Sequence, residues 1–135
     1  MRHVRPAPPI LLLGLFAAAE SCAGATTYTV TVGPGQIFSP PSLIIHTGDS
    51  VKFRSLGGLH NVKADDNSWR CAFGCDGEGG NGSPSVSLWT FTRVFNQAGT
   101  VGYYCETHGT TTSGMRGRVI VQDTTPVTLQ EFRVD

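Results

Sequence analysis

Four side chains in this sequence have the chemistry to hold one metal ion between them: His60, Cys105, His108 and Met115. One thiolate and two imidazoles, with a weak thioether on an axis, make the ligand set of a blue copper site. Thiolate and thioether suit Cu(I), and imidazole suits both oxidation states. A geometry that both states accept changes little when an electron arrives or leaves, so reorganisation stays small. The expected cofactor is therefore a single copper ion cycling between Cu(I) and Cu(II).

These residues need elements to bring them together. His60 follows Ser55-Leu56-Gly57-Gly58-Leu59, a glycine-rich turn just after a strand. Cys105 is expected to end a strand from Val101, and His108 to lie on the loop beyond it. Met115 closes that loop, with Gly114 and Gly117 around it pointing to loop rather than packed strand. Three ligands from one loop and one from a distant strand end would meet at one pole of a sandwich.

Short period-two runs supply the strands. Thr27 to Val32 puts Tyr28, Val30 and Val32 on one face, and Leu43-Ile44-Ile45 is a second run. Val51 to Arg54 follows the turn signal Thr47-Gly48-Asp49. Leu88 to Phe95 offers Trp89, Phe91 and Val94 as inward positions, and Val101 to Cys105 and Val119 to Gln122 complete the set. Such runs, separated by Gly, Pro, Asn and Asp, predict an all-β sandwich or barrel. Residues 64 to 86 read as a long polar loop, of a length that is uncommon unless stapled or functional. Cys71 and Cys75 are its obvious staple. Tyr103 and Tyr104 read as packing, Glu106 as a surface acid and His46 as a surface strand residue.

The start of the chain has another purpose. Arg2 and Arg5 precede an apolar run from Ile10 to Ala19, and Ala23-Gly24-Ala25 offers small residues for cleavage. That is the pattern of a secretory signal peptide. The run is about half the ~20 residues a membrane span needs. A lipid anchor on Cys22 is a poorer fit, because Glu20 stands near the cysteine where small residues are wanted. The expected division is a signal peptide over 1–25, one domain over 26–122 and a tail over 123–135. The destination is the periplasm or the exterior.

Removing Arg2, Arg5 and Glu20 from ten cationic and ten anionic side chains leaves eight and nine, a net charge near −1. The basic residues form no block, so neither nucleic acid nor an anionic membrane is indicated as a partner. Three cysteines remain after cleavage. An odd number in an oxidising compartment leaves one thiol for another use. With Cys71 and Cys75 closing a short loop, that thiol is Cys105.

His60-Asn61-Val62, then Tyr103-Tyr104-Cys105-Glu106-Thr107-His108, then Gly114-Met115-Arg116-Gly117 closely resemble the cupredoxins, nearest the plastocyanin and pseudoazurin-like group. The turn Thr47-Gly48-Asp49-Ser50-Val51 and the strand leading to Ser39-Pro40-Pro41 are also typical of that family. The resemblance covers roughly Tyr28 to Gln122. It implies a Greek-key β-sandwich with a mononuclear type 1 copper and electron transfer between protein redox partners; a monomer is the expected state. It also implies that Asn61 ties the His60 turn to the Cys105 loop, and that the edge of His108 is the electron port. Two features depart from the family. Six residues separate His108 from Met115, more than plastocyanins usually have, and the segment from Ala64 to Pro84 looks inserted.

Other functions fare worse on the same residues. A multicopper oxidase needs more histidines, and only His46 is spare after cleavage. A binuclear purple centre would want a second cysteine where Gly109 stands. Structural zinc on Cys71 and Cys75 conflicts with export, since oxidising compartments close such pairs. A periplasmic copper storage or delivery protein is the alternative that the ligands alone leave open.

Overall fold

The structure, a computed structural model, describes residues 24–124. Most of the expected signal peptide, Cys22 and the tail from 125 onward lie outside the described residues. Ten strands make up the fold: β1 (Thr27–Val32), β2 (Phe38–Ser39), β3 (Ser42–His46), β4 (Ser50–Ser55), β5 (Val62–Ala64), β6 (Arg70–Ala72), β7 (Gly74–Cys75), β8 (Thr90–Val94), β9 (Gly99–Gly109) and β10 (Gly114–Gln122). They form a four-stranded sheet, β2-β1-β4-β8, and a six-stranded sheet, β3-β10-β9-β5-β6-β7. The chain crosses repeatedly from one sheet to the other, so β1 pairs in parallel with β4, and β3 with β10. This is the expected all-β Greek-key sandwich. Among the described residues no helix is long and apolar enough to cross a membrane.

Alternation explains the core. Val30 and Val32 from β1, Val51 and Phe53 from β4, and Val119 and Val121 from β10 are all buried between the sheets. Phe53 stacks on Phe91 with ring centroids 4.9 Å apart and meets Tyr103 edge-on at 5.2 Å. Offset-stacked and edge-to-face contacts are the arrangements aromatic quadrupoles favour. Tyr103 also takes Phe38 edge-on at 4.9 Å, so one ring bridges β2, β4 and β9.

Three expectations need correction. Val94 is not inward; it is 57% exposed, whereas Trp89, Phe91 and Phe95 are buried. Counting by two from Phe91 reaches Arg93, which lies over the Trp69 ring at 5.0 Å. Cys105 does not end its strand, and neither His108 nor Met115 is on a loop. Strand β9 runs on to Gly109, β10 begins at Gly114, and these two glycines pair directly. A Cβ on Gly109 would stand 2.8 Å from the Met115 backbone nitrogen. Of the two glycines that read as loop signals, Gly114 lies where two backbones approach closely within a ladder, and Gly117 leaves room for the Tyr103 ring. Finally, 64–86 is not plain loop: β6 and β7 extend the larger sheet beyond β5 as a small arm. Elements of two or three residues are too short to show a period. The arm is closed by a disulfide between Cys71 and Cys75.

Candidate metal centre

The long hairpin of β9 and β10 carries three of the four candidate residues. In β9, Cys105 faces the core and is fully buried, and His108 near the strand end is half-buried. The turn 110–113 is fastened by the Thr110 amide donating to the Ser113 carbonyl at 2.8 Å. Arg116 donates to the Thr110 carbonyl at 2.7 Å and to both carboxylate oxygens of Asp65. This anchors the turn to the segment after β5. Met115, the second residue of β10, is buried at the start of the strand.

His60 arrives from the opposite side. It bridges to Ser85 by two backbone hydrogen bonds, and its ring is buried. The ring is seated on backbone: a Cβ on Gly58 would stand 2.5 Å from Nε2, and one on Gly33 3.0 Å away. Only glycine leaves room for the imidazole there. Held this way, His60 turns Nδ1 toward Cys105.

The three donor atoms of His60, Cys105 and His108 all lie within 4.8 Å of one another. The Cys105 Sγ is 3.8 Å from His60 Nδ1 and 3.8 Å from His108 Nδ1. A first-row ion about 2.3 Å from a thiolate and about 2.0–2.1 Å from an imidazole, with bonds splayed by about 120°, would set sulfur and nitrogen roughly 3.8 Å apart. The spacing and the donor types therefore fit a trigonal His2Cys site. Burial, followed by the charge of neighbouring His108, holds the His60 pKa below the ordinary histidine value, with the Gly35 and Gly57 backbone acting in the other direction. A neutral imidazole with a free lone pair is the form a metal requires.

Asn61 joins the two sides, as the sequence led us to expect. Its Oδ1 accepts the Glu106 amide at 2.9 Å, and its Nδ2 donates to the Glu106 carboxylate at 2.7 Å and to the Gly82 carbonyl at 2.9 Å. Glu106 is not the plain surface acid it resembled. Its other partners are Lys63 at 3.2 Å and Arg70 at 3.0 Å. Partial burial pushes its pKa up, but hydrogen bonds from Arg70, Asn61 and Lys63 outweigh this and leave it below the usual glutamate value. The available signal was a carboxylate between two metal-ligand types, with two cations following Asn61. The pairing itself is non-local and left no periodic trace.

No family model matches the chain. In sequence, the chain is 28% identical to the chloroplastic plastocyanin of Tetradesmus obliquus over 90% of this chain and 83% of that protein. It is 31% identical to the chloroplastic plastocyanin of Chlamydomonas reinhardtii over 63% of this chain and 58% of that protein. In structure, it resembles an oxidised amicyanin variant with a TM-score of 0.52 at 26% identity, covering 79% of this chain and 90% of that one.

Proposed function

We propose that the chain is a cupredoxin, an exported type 1 copper protein that carries electrons between protein redox partners. It is a carrier rather than an enzyme, and its cofactor is one copper ion. The observation that carries this reading is the triangle of Cys105 Sγ with the two Nδ1 atoms, both 3.8 Å from sulfur. Bound copper would supply one-electron Cu(I)/Cu(II) cycling. His60, Cys105, His108 and Met115 would hold it. The protein's own contribution is rigidity: glycines seat His60, and Asn61 clamps the two ligand segments together. His108, half-buried where His60 is enclosed, serves as the electron port. We take 26–122 as the domain, preceded by a cleaved signal peptide, with a monomer working in the periplasm or outside the cell.

The test is to load the purified protein with Cu(II) and record the visible spectrum. An intense thiolate-to-copper band, bleached by a mild reductant and restored by oxidation, is the expected result. Cys105→Ser should lose the band and keep the fold. A band that survives that substitution would overturn the thiolate assignment. Copper passed irreversibly to an acceptor without redox cycling would favour the storage or delivery role.

A further inference from the structure

The arm built by β6 and β7 has no part in the ligand set, yet it reaches the metal centre. Arg70, the first residue of β6, spreads its guanidinium over three partners. Its Nε donates to Asp76 at 2.7 Å, its Nη1 to Glu106 at 3.0 Å and its Nη2 to Ser83 at 3.2 Å. Asp76 in turn accepts the Gly82 amide at 2.7 Å, and its own amide donates to the Arg70 carbonyl at 3.0 Å. The Gly82 carbonyl takes the Asn61 side chain. The backbone of Gly82 lies so close to that of Arg70 that a Cβ would collide with the Arg70 carbonyl. The arm is thus one knotted unit, closed by Cys71–Cys75, and it touches the centre at two points, Asn61 and Glu106.

Both contacts bear on the stretch between Cys105 and His108. Glu106 follows the thiolate residue directly, and its carboxylate is pinned from three sides. Outer partners of this kind fix ligand orientation. Arginine suits the task because its planar fork serves several acceptors at fixed angles, whereas lysine presents one flexible point charge.

We propose that Arg70 is a positioning residue of the metal centre: carried on the disulfide-closed arm, it holds Glu106 and, through it, the chain between Cys105 and His108. This rests on the copper reading above, but part of its test does not. Arg70→Gln should leave the metal-free fold intact by circular dichroism. It should weaken copper binding about tenfold, the lower end of what such outer partners contribute, and shift the thiolate-to-copper band. In the metal-free protein, alkylation of the buried Cys105 thiol should become several-fold faster. Glu106→Gln should act in the same direction, and the double variant should be little worse than Glu106→Gln alone, because both residues act along one path. Arg118→Gln, which removes a contact to exposed Ser42 on β3, should change none of these. If Arg70→Gln does not fold, Arg70→Lys replaces it, with a smaller change of the same sign.

An Arg70 variant with unchanged band, affinity and thiol reactivity would overturn the proposal, as would strict additivity with Glu106→Gln. A wild-type protein that shows no band would instead overturn the copper reading. The alkylation rates would then still decide whether Arg70 orders Cys105.

Discussion

Asn61 holds Glu106 by two hydrogen bonds at once, accepting from its amide at 2.9 Å and donating to its carboxylate at 2.7 Å. The two residues are neighbours of His60 and Cys105 respectively, so a single side chain fixes the distance between candidate ligands from opposite segments. Asn61→Ala should therefore do more than remove a contact. The Gly82 carbonyl and the Glu106 amide lose their partner, a cost of about 1–3 kcal/mol per buried group left unmade. Copper affinity should fall about 10–100-fold. Chemical denaturation and copper titration of the same variant check both numbers.

The seat of His60 gives a second expectation. Gly58 has φ +95°, and a Cβ there would stand 2.5 Å from His60 Nε2. Gly58→Ala must strain the backbone and also push the imidazole off its seat. We expect a folded protein with copper affinity reduced at least about tenfold, checked by titration. Unchanged affinity would mean that the ring has room the structure does not show.

Gly117 tests the core. A Cβ at this position would land on the Tyr103 ring, which is fully buried and in contact with Phe38 and Phe53. Overpacking of this kind costs typically about 1–3 kcal/mol. Gly117→Ala should lower the unfolding free energy by that amount, seen as a lower denaturation midpoint at unchanged slope, without changing which atoms could bind copper.

Asp49 should set part of the acid stability. Backbone hydrogen bonds from Thr26 and then His46 hold its pKa below the ordinary aspartate value, against the effect of burial, with the His46 charge adding a little. The bonds measure 2.8 and 2.9 Å. A carboxylate with a depressed folded pKa contributes stability that is complete above its unfolded value near about 3.9 and fades as pH falls through the lower folded value. Asp49→Asn should be less stable than wild type at neutral pH and should converge with it in that acid window. Unfolding curves at several pH values give the answer.

Much of the fold was legible because burial on one face imprints alternation, as in Val30 and Val32 or Val51 and Phe53. The misreadings share a cause. Val94 was placed inward by hydrophobicity although Phe91 had already set the phase. His108 reads as loop because the apolar alternation of its strand stops at Cys105, and Met115 because glycine marks both turns and close contacts within a sheet, which sequence does not separate. That His60, Cys105 and His108 come together was readable from residue type and order. The arm was not, since its strands are too short for a pattern and Arg70 meets Glu106 only through the tertiary fold.

Parallel pairing has a kinetic consequence. Neither β1 with β4 nor β3 with β10 can form as a hairpin, so these partners must find each other across long stretches of unfolded chain. Contacts of that kind are slow to nucleate, and sandwiches rich in them fold in milliseconds to seconds rather than microseconds. His60 and Cys105 are themselves 45 residues apart in sequence. The triangle of candidate donors therefore depends on one long-range meeting, that of the His60 segment with the β9–β10 hairpin.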